Sequence, residues 1–164
     1  MTPRLVILCI EDEAAVRDAI VRDLEPFGPS VLVETAETVA DARDALAETA
    51  RAGDRLALVL ADHLLPGEKG VRFLVELHAD PVHGAAKKVL VTGQAGLEDT
   101  IEAVNRAGLD RYIAKPWDPE ELRAVVRELL TDFVVEHVDD VLPYLQVLDA
   151  PRLLDAHRQR AGDR

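Results

Sequence analysis

Hydrophobic and polar positions alternate between two patterns along the chain. Short runs rich in β-branched residues and leucine predict buried strands, and the longer stretches between them carry apolar residues at helical spacing. The strands are predicted at Leu5–Ile10, Val31–Thr35, Leu56–Ala61, Lys88–Thr92 and Arg111–Ala114. The helices are predicted from just after Asp12, over 39–52, 70–78 and 97–107, and after Asp118-Pro119, a pair suited to a helix start.

This alternation predicts an α/β fold with a doubly wound, five-stranded parallel sheet. Strand–helix–strand units connect by right-handed crossovers and place helices on both faces of the sheet. The continuous apolar run Leu56–Leu60 suits a strand that is buried on both sides. Five strands suggest the flavodoxin-like order 2-1-3-4-5, whose crevice lies at the carboxyl ends of strands 1 and 3. We therefore expect the chemistry directly after Ile10 and Ala61.

Apolar residues continue beyond the point where the fifth helix completes this fold. We expect the α/β domain over residues 1–130 and a helical C-terminal extension over residues 131–164. Its last short helix is predicted to start near Asp149 and run through Leu154, with a frayed polar end from His157. Because the apolar side chains of the extension must be covered, we expect a homodimer through residues 119–154. The alternative is packing against the chain's own fifth helix.

Charge and composition disfavour several classes of protein, namely nucleic-acid-binding, membrane-spanning and disulfide-bonded secreted proteins. The formal net charge of −12 argues against direct binding of nucleic acid, because an acidic surface repels the phosphate backbone. No apolar run approaches the ~20 residues of a membrane-spanning helix, and the start has no signal-peptide pattern. The single cysteine, Cys9, excludes an internal disulfide and favours a cytoplasmic protein. We expect its thiol to be buried and inert.

Polar residues suited to phosphoryl transfer follow four of the predicted strands. They are Glu11-Asp12-Glu13 after strand 1, Asp62 after strand 3, Thr92 at the end of strand 4 and Lys115 after strand 5. Clustered carboxylates repel one another unless a hard cation such as Mg²⁺ joins them. A carboxylate nucleophile, a metal, a hydroxyl and an ammonium together make a phosphoryl-transfer site. Taken singly, each residue also has a plain structural interpretation, such as a helix start or a turn.

With these motifs, and with the loop residues Pro66, Gly67 and Gly70 after Asp62, the chain resembles response-regulator receiver domains over about residues 4–130. The resemblance implies that Asp62 is the phosphoacceptor and that Thr92 and Lys115 assist it. It also implies that Glu11, Asp12 and Asp62 bind Mg²⁺. Glu11 departs from the aspartate that is commoner at its position, and its longer carboxylate can reach the ion directly or through water.

The resemblance further implies a conformational switch made by Thr92 and Tyr112. In such receivers an aromatic side chain turns inward when the hydroxyl moves toward the phosphoryl group. The competing interpretation of Tyr112 is a half-buried structural tyrosine. The Lys115–Pro116 peptide bond is predicted to be cis, as in relatives, because only X–Pro bonds adopt cis at low cost.

Two positions, Leu64 and Gln94, resemble those that tune dephosphorylation by controlling the attacking water. The apolar Leu64 cannot orient water, whereas Gln94 can. We expect the phosphorylated form to outlast that of an otherwise equal variant with Asn at position 64. His63 beside the acceptor is a conceivable proton relay, but we interpret it as a structural residue that points to solvent.

The function predicted from these residues is that of a two-component response regulator. A histidine kinase or phosphotransfer protein supplies the phosphoryl group, and an output partner protein reads the surface of helix 97–107, strand 5 and the following helix. The protein is then not an enzyme for other substrates, and it catalyses only its own phosphorylation and dephosphorylation. Two alternatives remain: the receiver segment of a longer multidomain signalling protein, and a Mg²⁺-dependent aspartyl-phosphate phosphohydrolase, whose nucleophile normally follows strand 1 in an Asp-x-Asp arrangement. Flavin binding is disfavoured because no glycine-rich or hydroxyl-rich phosphate loop follows strand 1.

Overall fold

The structure, a computed structural model, describes residues 3–93 and 105–164. The strands are β1 (Leu5–Ile10), β2 (Val31–Ala36), β3 (Arg55–Asp62), β4 (Lys87–Thr92) and β5 (Arg111–Ala114). The helices are α1 (Ala14–Leu24), α2 (Val39–Arg51), α3 (Gly70–His78), α4 (Pro119–His137) and α5 (Ala150–Gly162). Nearly all of the helix predicted over 97–107 lies outside the described residues. Among these helices, none is long and apolar enough to cross a bilayer.

The five strands form one parallel sheet in the order β2-β1-β3-β4-β5, as the alternation of strands and helices predicts. Every residue of β1 is buried, because helices cover both faces. Alternate residues of a strand point to opposite faces, so Ile7 and Cys9 pack in the core with α1 and α4, whereas Val6 and Leu8 pack in the core with α2 and α3.

Two predictions about single residues are confirmed. Cys9 is fully buried in β1, and burial, the largest cause, raises the pKa of its thiol to about 12. The reactive thiolate is therefore scarce at neutral pH. The Lys115–Pro116 peptide bond is cis.

The C-terminal extension folds back onto its own chain. Val141, Tyr144, Leu148 and Leu153 are buried in the core that α1 and α4 line. The Tyr144 hydroxyl donates to the carbonyl of Pro3, 3.1 Å away, which joins the extension to the start of the chain. The intramolecular alternative thus describes these side chains. Much of the apolar surface that motivated the dimer is covered within the chain, but Leu142 and Leu154 remain exposed, so a homodimer through residues 119–154 stays a prediction.

Helix α5 is longer than predicted and lies along the second half of α4. The predicted fraying from His157 is wrong, since the helix continues to Gly162. The physical reason is Arg160, whose guanidinium donates to the carbonyls of Val135 and, at 2.6 Å, Val138. Carbonyls at a helix end lack partners within their own helix, so these contacts order α5 and complete the end of α4 together.

Packing of α5 onto α4 predicts unequal effects of two neighbouring substitutions. Leu153 is buried, whereas Leu154 is 39% exposed. Leu153→Ala leaves a cavity and is expected to lower the free energy of unfolding by about 2–4 kcal/mol. Leu154→Ala, the matched control, is expected to cost less than about 1 kcal/mol. Urea denaturation followed by circular dichroism measures both, and equal effects would contradict docking of the extension.

Candidate functional site

The carboxyl ends of the strands bring most of the predicted site residues together. Ile10 of β1 pairs with Ala61 of β3, so the next residue of each strand, Glu11 and Asp62, lies at the same edge. A ligand oxygen from each of Glu11, Asp12 and Asp62 lies within 4.8 Å of the others. This is the crevice position that the strand order predicts.

Lys115 joins two of these carboxylates. Its Nζ lies 2.9 Å from Glu11 Oε2 and 3.2 Å from Asp62 Oδ2. Its backbone N–H donates to the carbonyl of Thr92 at 2.8 Å, which ties the end of β5 to the end of β4. Burial by itself lowers the pKa of Lys115, but the bonds and charges of Glu11 and Asp62 outweigh it and the net shift is upward. The ammonium is therefore held in its charged form.

Glu11 is a buried carboxylate with a partner for each oxygen. Oε1 accepts a hydrogen bond from the Glu13 N–H at 3.1 Å, and Oε2 accepts one from Lys115. The Glu11 N–H donates to the carbonyl of Ala36 at 2.9 Å, which extends the β1–β2 ladder by one residue. Burial raises the pKa of Glu11, and the bonds from Lys115 and Glu13 offset only part of that rise. Ionisation of the Glu11 carboxyl is thus less favourable here than in water.

Asp62 is the last residue of β3 and is buried at the edge of the sheet. Its Oδ1 accepts a hydrogen bond from the Leu64 N–H at 3.3 Å. Helix α3 begins against the strand end, since a Cβ on Gly70 would lie 2.1 Å from the Asp62 carbonyl oxygen. Gly67, with φ of +82°, turns the loop between them. The loop glycines noted in the sequence therefore allow a close approach that shapes the site.

His63 differs from its prediction. It was expected to point to solvent, but it is buried. The reason is that its N–H continues the ladder to the carbonyl of Val91, and its own carbonyl accepts a hydrogen bond from the Gly70 N–H. These bonds hold the residue beneath the start of α3. Leu64, the next residue, is 62% exposed beside the site, and Gln94 lies outside the described residues.

The two residues of the predicted switch are in different environments. Thr92 is buried at the end of β4, and its hydroxyl donates to the carbonyl of Gly93 at 3.1 Å. Tyr112 is 52% exposed on the edge strand β5. The Tyr112 side chain is therefore turned outward at the surface, and its switch with Thr92 stays a prediction.

Arg17 belongs to the site although the sequence reasoning missed it. Its guanidinium donates to the carbonyl oxygen of Glu11 at 2.9 Å and to Glu37 Oε1 at 3.2 Å. The sequence held one usable signal, a basic residue in the first turns of a helix that follows three acidic residues. A basic residue at that end of a helix opposes the helix dipole and therefore invites a specific partner.

The donor set fits a hard divalent cation. The three clustered groups are all carboxylates, the ligands that Mg²⁺ prefers, and Asp12 is exposed enough for the ion to keep water. Lys115 contributes one positive charge against three negative ones. The residual negative charge and the oxygen-only ligands are therefore compatible with Mg²⁺.

Residues 7–127 match the family described as the response regulator receiver domain. The chain belongs to this family. Receiver domains are signalling modules that typically bind Mg²⁺ through acidic residues. The acidic cluster of Glu11, Asp12 and Asp62 lies where this receiver would hold such an ion.

Curated relatives of the receiver are longer proteins. It is 34% identical over 125 residues to the hydrogenase transcriptional regulatory protein HoxA of Bradyrhizobium diazoefficiens, with 74% of this chain and 23% of that protein covered. It is 32% identical over 130 residues to the response regulator Rre1 of Synechocystis, with 79% of this chain and 53% of that protein covered. The chain thus spans about a quarter and about half of these relatives.

A solved structure agrees with the fold. The CheY-like response regulator receiver domain protein of Methanospirillum hungatei is 30% identical to this receiver, with a TM-score of 0.69. The match covers 82% of this chain and 99% of that chain. The flavodoxin-like fold predicted from the strand pattern is therefore confirmed.

The close approach at Gly70 generates a prediction. Gly70→Ala forces a methyl group against the backbone of Asp62, so the free energy of unfolding should fall by about 2 kcal/mol or more. Gly162→Ala, where nothing lies within 4 Å of the added methyl, is the control and should be nearly neutral. Denaturant unfolding of both variants measures the difference. An unaffected Gly70→Ala variant would refute this packing of α3 against β3.

Proposed function

We propose that this receiver accepts a phosphoryl group on Asp62 from a histidine kinase or phosphotransfer protein and changes its surface for an output partner protein. In the transfer, the P–N bond of a phosphohistidine breaks as a P–O bond to an Asp62 oxygen forms. The observation that carries the proposal is the cluster in which Glu11, Asp12 and Asp62 share one edge with Lys115. A carboxylate nucleophile at such an edge needs nearby positive charge, and this edge supplies a place for it.

Glu11, Asp12 and Asp62 would hold the Mg²⁺. When bound, the ion neutralises negative charge that develops on the phosphoryl oxygens. Lys115 already contacts Asp62 and can transfer its ammonium contact from the carboxylates to a phosphoryl oxygen. The Thr92 hydroxyl, now bonded to the carbonyl of Gly93, can rotate to donate to another.

The readout proposed for this chemistry is the surface around β5. Movement of the Thr92 hydroxyl would leave room for Tyr112, now outward, to turn inward. Arg111 of β5 pairs with Glu128 of α4 at 3.0 Å, so a change in β5 reaches the exposed side of α4. We propose that the output partner recognises this surface of β5 and α4.

The scope of the proposal follows from charge and length. The net charge of −12 supports a protein partner and no direct contact with nucleic acid, and the free buried thiol of Cys9 suits the cytoplasm. Because the relatives are longer, a role as the receiver part of a larger signalling protein remains the second candidate. A phosphohydrolase is not favoured, since the candidate nucleophile follows β3.

Phosphorylation of Asp62 is tested with acetyl phosphate and Mg²⁺. We expect intact-mass spectrometry to find one added phosphoryl group on the wild type, and none on Asp62→Asn. Asp18→Asn, which changes an exposed carboxylate on α1, should behave as wild type. Unchanged phosphorylation of Asp62→Asn would overturn the assignment of Asp62 as the acceptor. Phosphorylation that persists when a chelator removes the metal would overturn the role of Mg²⁺.

The exposed apolar side chain of Leu64 predicts slow dephosphorylation. Leu64→Asn supplies an amide that can orient the attacking water, so the phosphorylated variant should decay severalfold faster than wild type. Val82→Asn introduces the same amide at an exposed valine of the α3–β4 connection and should leave the decay rate unchanged. Loss of the phosphorylated mass with time gives the rates, and equal decay of the Leu64→Asn variant and wild type would contradict the proposed role.

A further inference from the structure

Arg17 links three elements beneath the acidic cluster. Its backbone N–H donates to the carbonyl of Glu13, the residue that precedes α1. Its guanidinium reaches back to the carbonyl oxygen of Glu11 at the end of β1, and across to Glu37 in the connection between β2 and α2. The Arg17 side chain is only 15% exposed, although it carries a full charge. An arginine with two partners on different elements is held in one conformation.

The contact to Glu11 falls on the peptide that leads to Asp12. Because a peptide unit is planar, holding the Glu11 carbonyl also sets the direction in which the chain enters Asp12. Asp12 is exposed, so packing does little to aim its carboxylate. The backbone between β1 and α1 must do so instead.

The other bonds of Glu11 divide into two kinds. Its carboxylate is bonded to Lys115 and to the Glu13 N–H, and the bond to Lys115 must change if the ammonium moves to a phosphoryl group. Its backbone is bonded to the Ala36 carbonyl and to Arg17, and these bonds need not change. Arg17 is thus the side chain whose contact can persist through the whole cycle.

We propose that Arg17 is a positioning residue for the divalent-cation site, which it serves by fixing the Glu11–Asp12 peptide. The inference rests on the proposed function, since it requires that Glu11 and Asp12 hold Mg²⁺. Arg17 does not touch the ion. It acts through the carbonyl of Glu11, much as outer groups orient metal ligands in other sites.

Arg17 could act through its charge or by positioning the backbone, and the two roles predict opposite changes in Mg²⁺ affinity when Arg17 is removed. A guanidinium beside a cation site repels the ion, so if Arg17 acted only through its charge, its loss would tighten Mg²⁺ binding. If Arg17 positions the peptide, its loss weakens Mg²⁺ binding despite the removal of a repelling charge. The sign of the change in Kd therefore distinguishes the two roles.

The test is calorimetric titration of the purified full chain with MgCl₂. Arg17→Met is expected to raise the Kd for Mg²⁺ about tenfold, the low end of the effects seen when groups that orient metal ligands are lost. Arg22→Met is the matched control, because it removes the same charge from the same helix at a side chain that is 74% exposed. Its Kd should match that of wild type. A Kd for Arg17→Met equal to or below that of wild type would overturn the proposal.

Arg17→Lys separates position from stability. Lysine keeps the charge, but its single ammonium lacks the fork that spans Glu11 and Glu37, so its Kd should fall between those of wild type and Arg17→Met. Urea unfolding without metal measures stability separately. A purely structural role would lower stability and leave the Kd of the folded protein unchanged. If Arg17→Met does not fold, a wild-type Kd for Arg17→Lys would overturn the proposal.

Failure of the proposed function gives a different result. If wild type itself shows no binding of MgCl₂, the metal site is wrong and the role of Arg17 falls with it. If wild type binds the ion and the Arg17 variants bind it equally well, only the role of Arg17 is rejected.

Discussion

The arrangement of the site depends on the position of one ammonium group. Glu11 and Asp62 are buried carboxylates at the ends of adjacent strands, and two such charges side by side are unfavourable without a nearby cation. Lys115 supplies that cation from the far edge of the sheet, with contacts of 2.9 Å and 3.2 Å. Parallel pairing of all five strands is required for this contact, because it brings every carboxyl end to one edge. In the proposed function, a bound Mg²⁺ would take over part of this charge compensation, so that Lys115 could contact a phosphoryl oxygen.

The extension adds stability at a distance from this chemistry. It buries Tyr144, Leu148 and Leu153 against α1 and α4, and Arg160 completes the end of α4. Helix α4 also carries Glu128, the partner of Arg111 on β5. A firmly held α4 therefore gives the proposed switch surface a fixed support, against which a movement of β5 changes the exposed shape.

Much of the fold was predictable because its signals are local. The bounds of β1, β5 and α3 match the predicted ranges. Apolar runs, and the glycine or proline residues that end them, can be recognised from a few neighbouring residues. The clustering of Glu11, Asp12, Asp62 and Lys115 followed from the rule that parallel strands end together. The burial of His63 and the length of α5 were not predictable, because each depends on backbone partners distant in sequence. The contact of Arg17 with Glu11 depends in addition on one side-chain conformation.

Local patterns in the sequence were enough to predict the strands, most of the helices and the residue types that stand at the strand ends. Hydrophobic periodicity and turn residues act within a few positions of the chain, so they can be read without coordinates. Coordinates were needed to show that the extension packs on its own α4 and that Lys115 is shared between Glu11 and Asp62. The position of Lys115 depends on carboxylates far away in the sequence, and Glu11 is 104 residues from it. The packing of the extension depends on whether its own chain or a second copy covers its apolar side chains. Neither choice of partner can be predicted from a pattern of neighbouring residues.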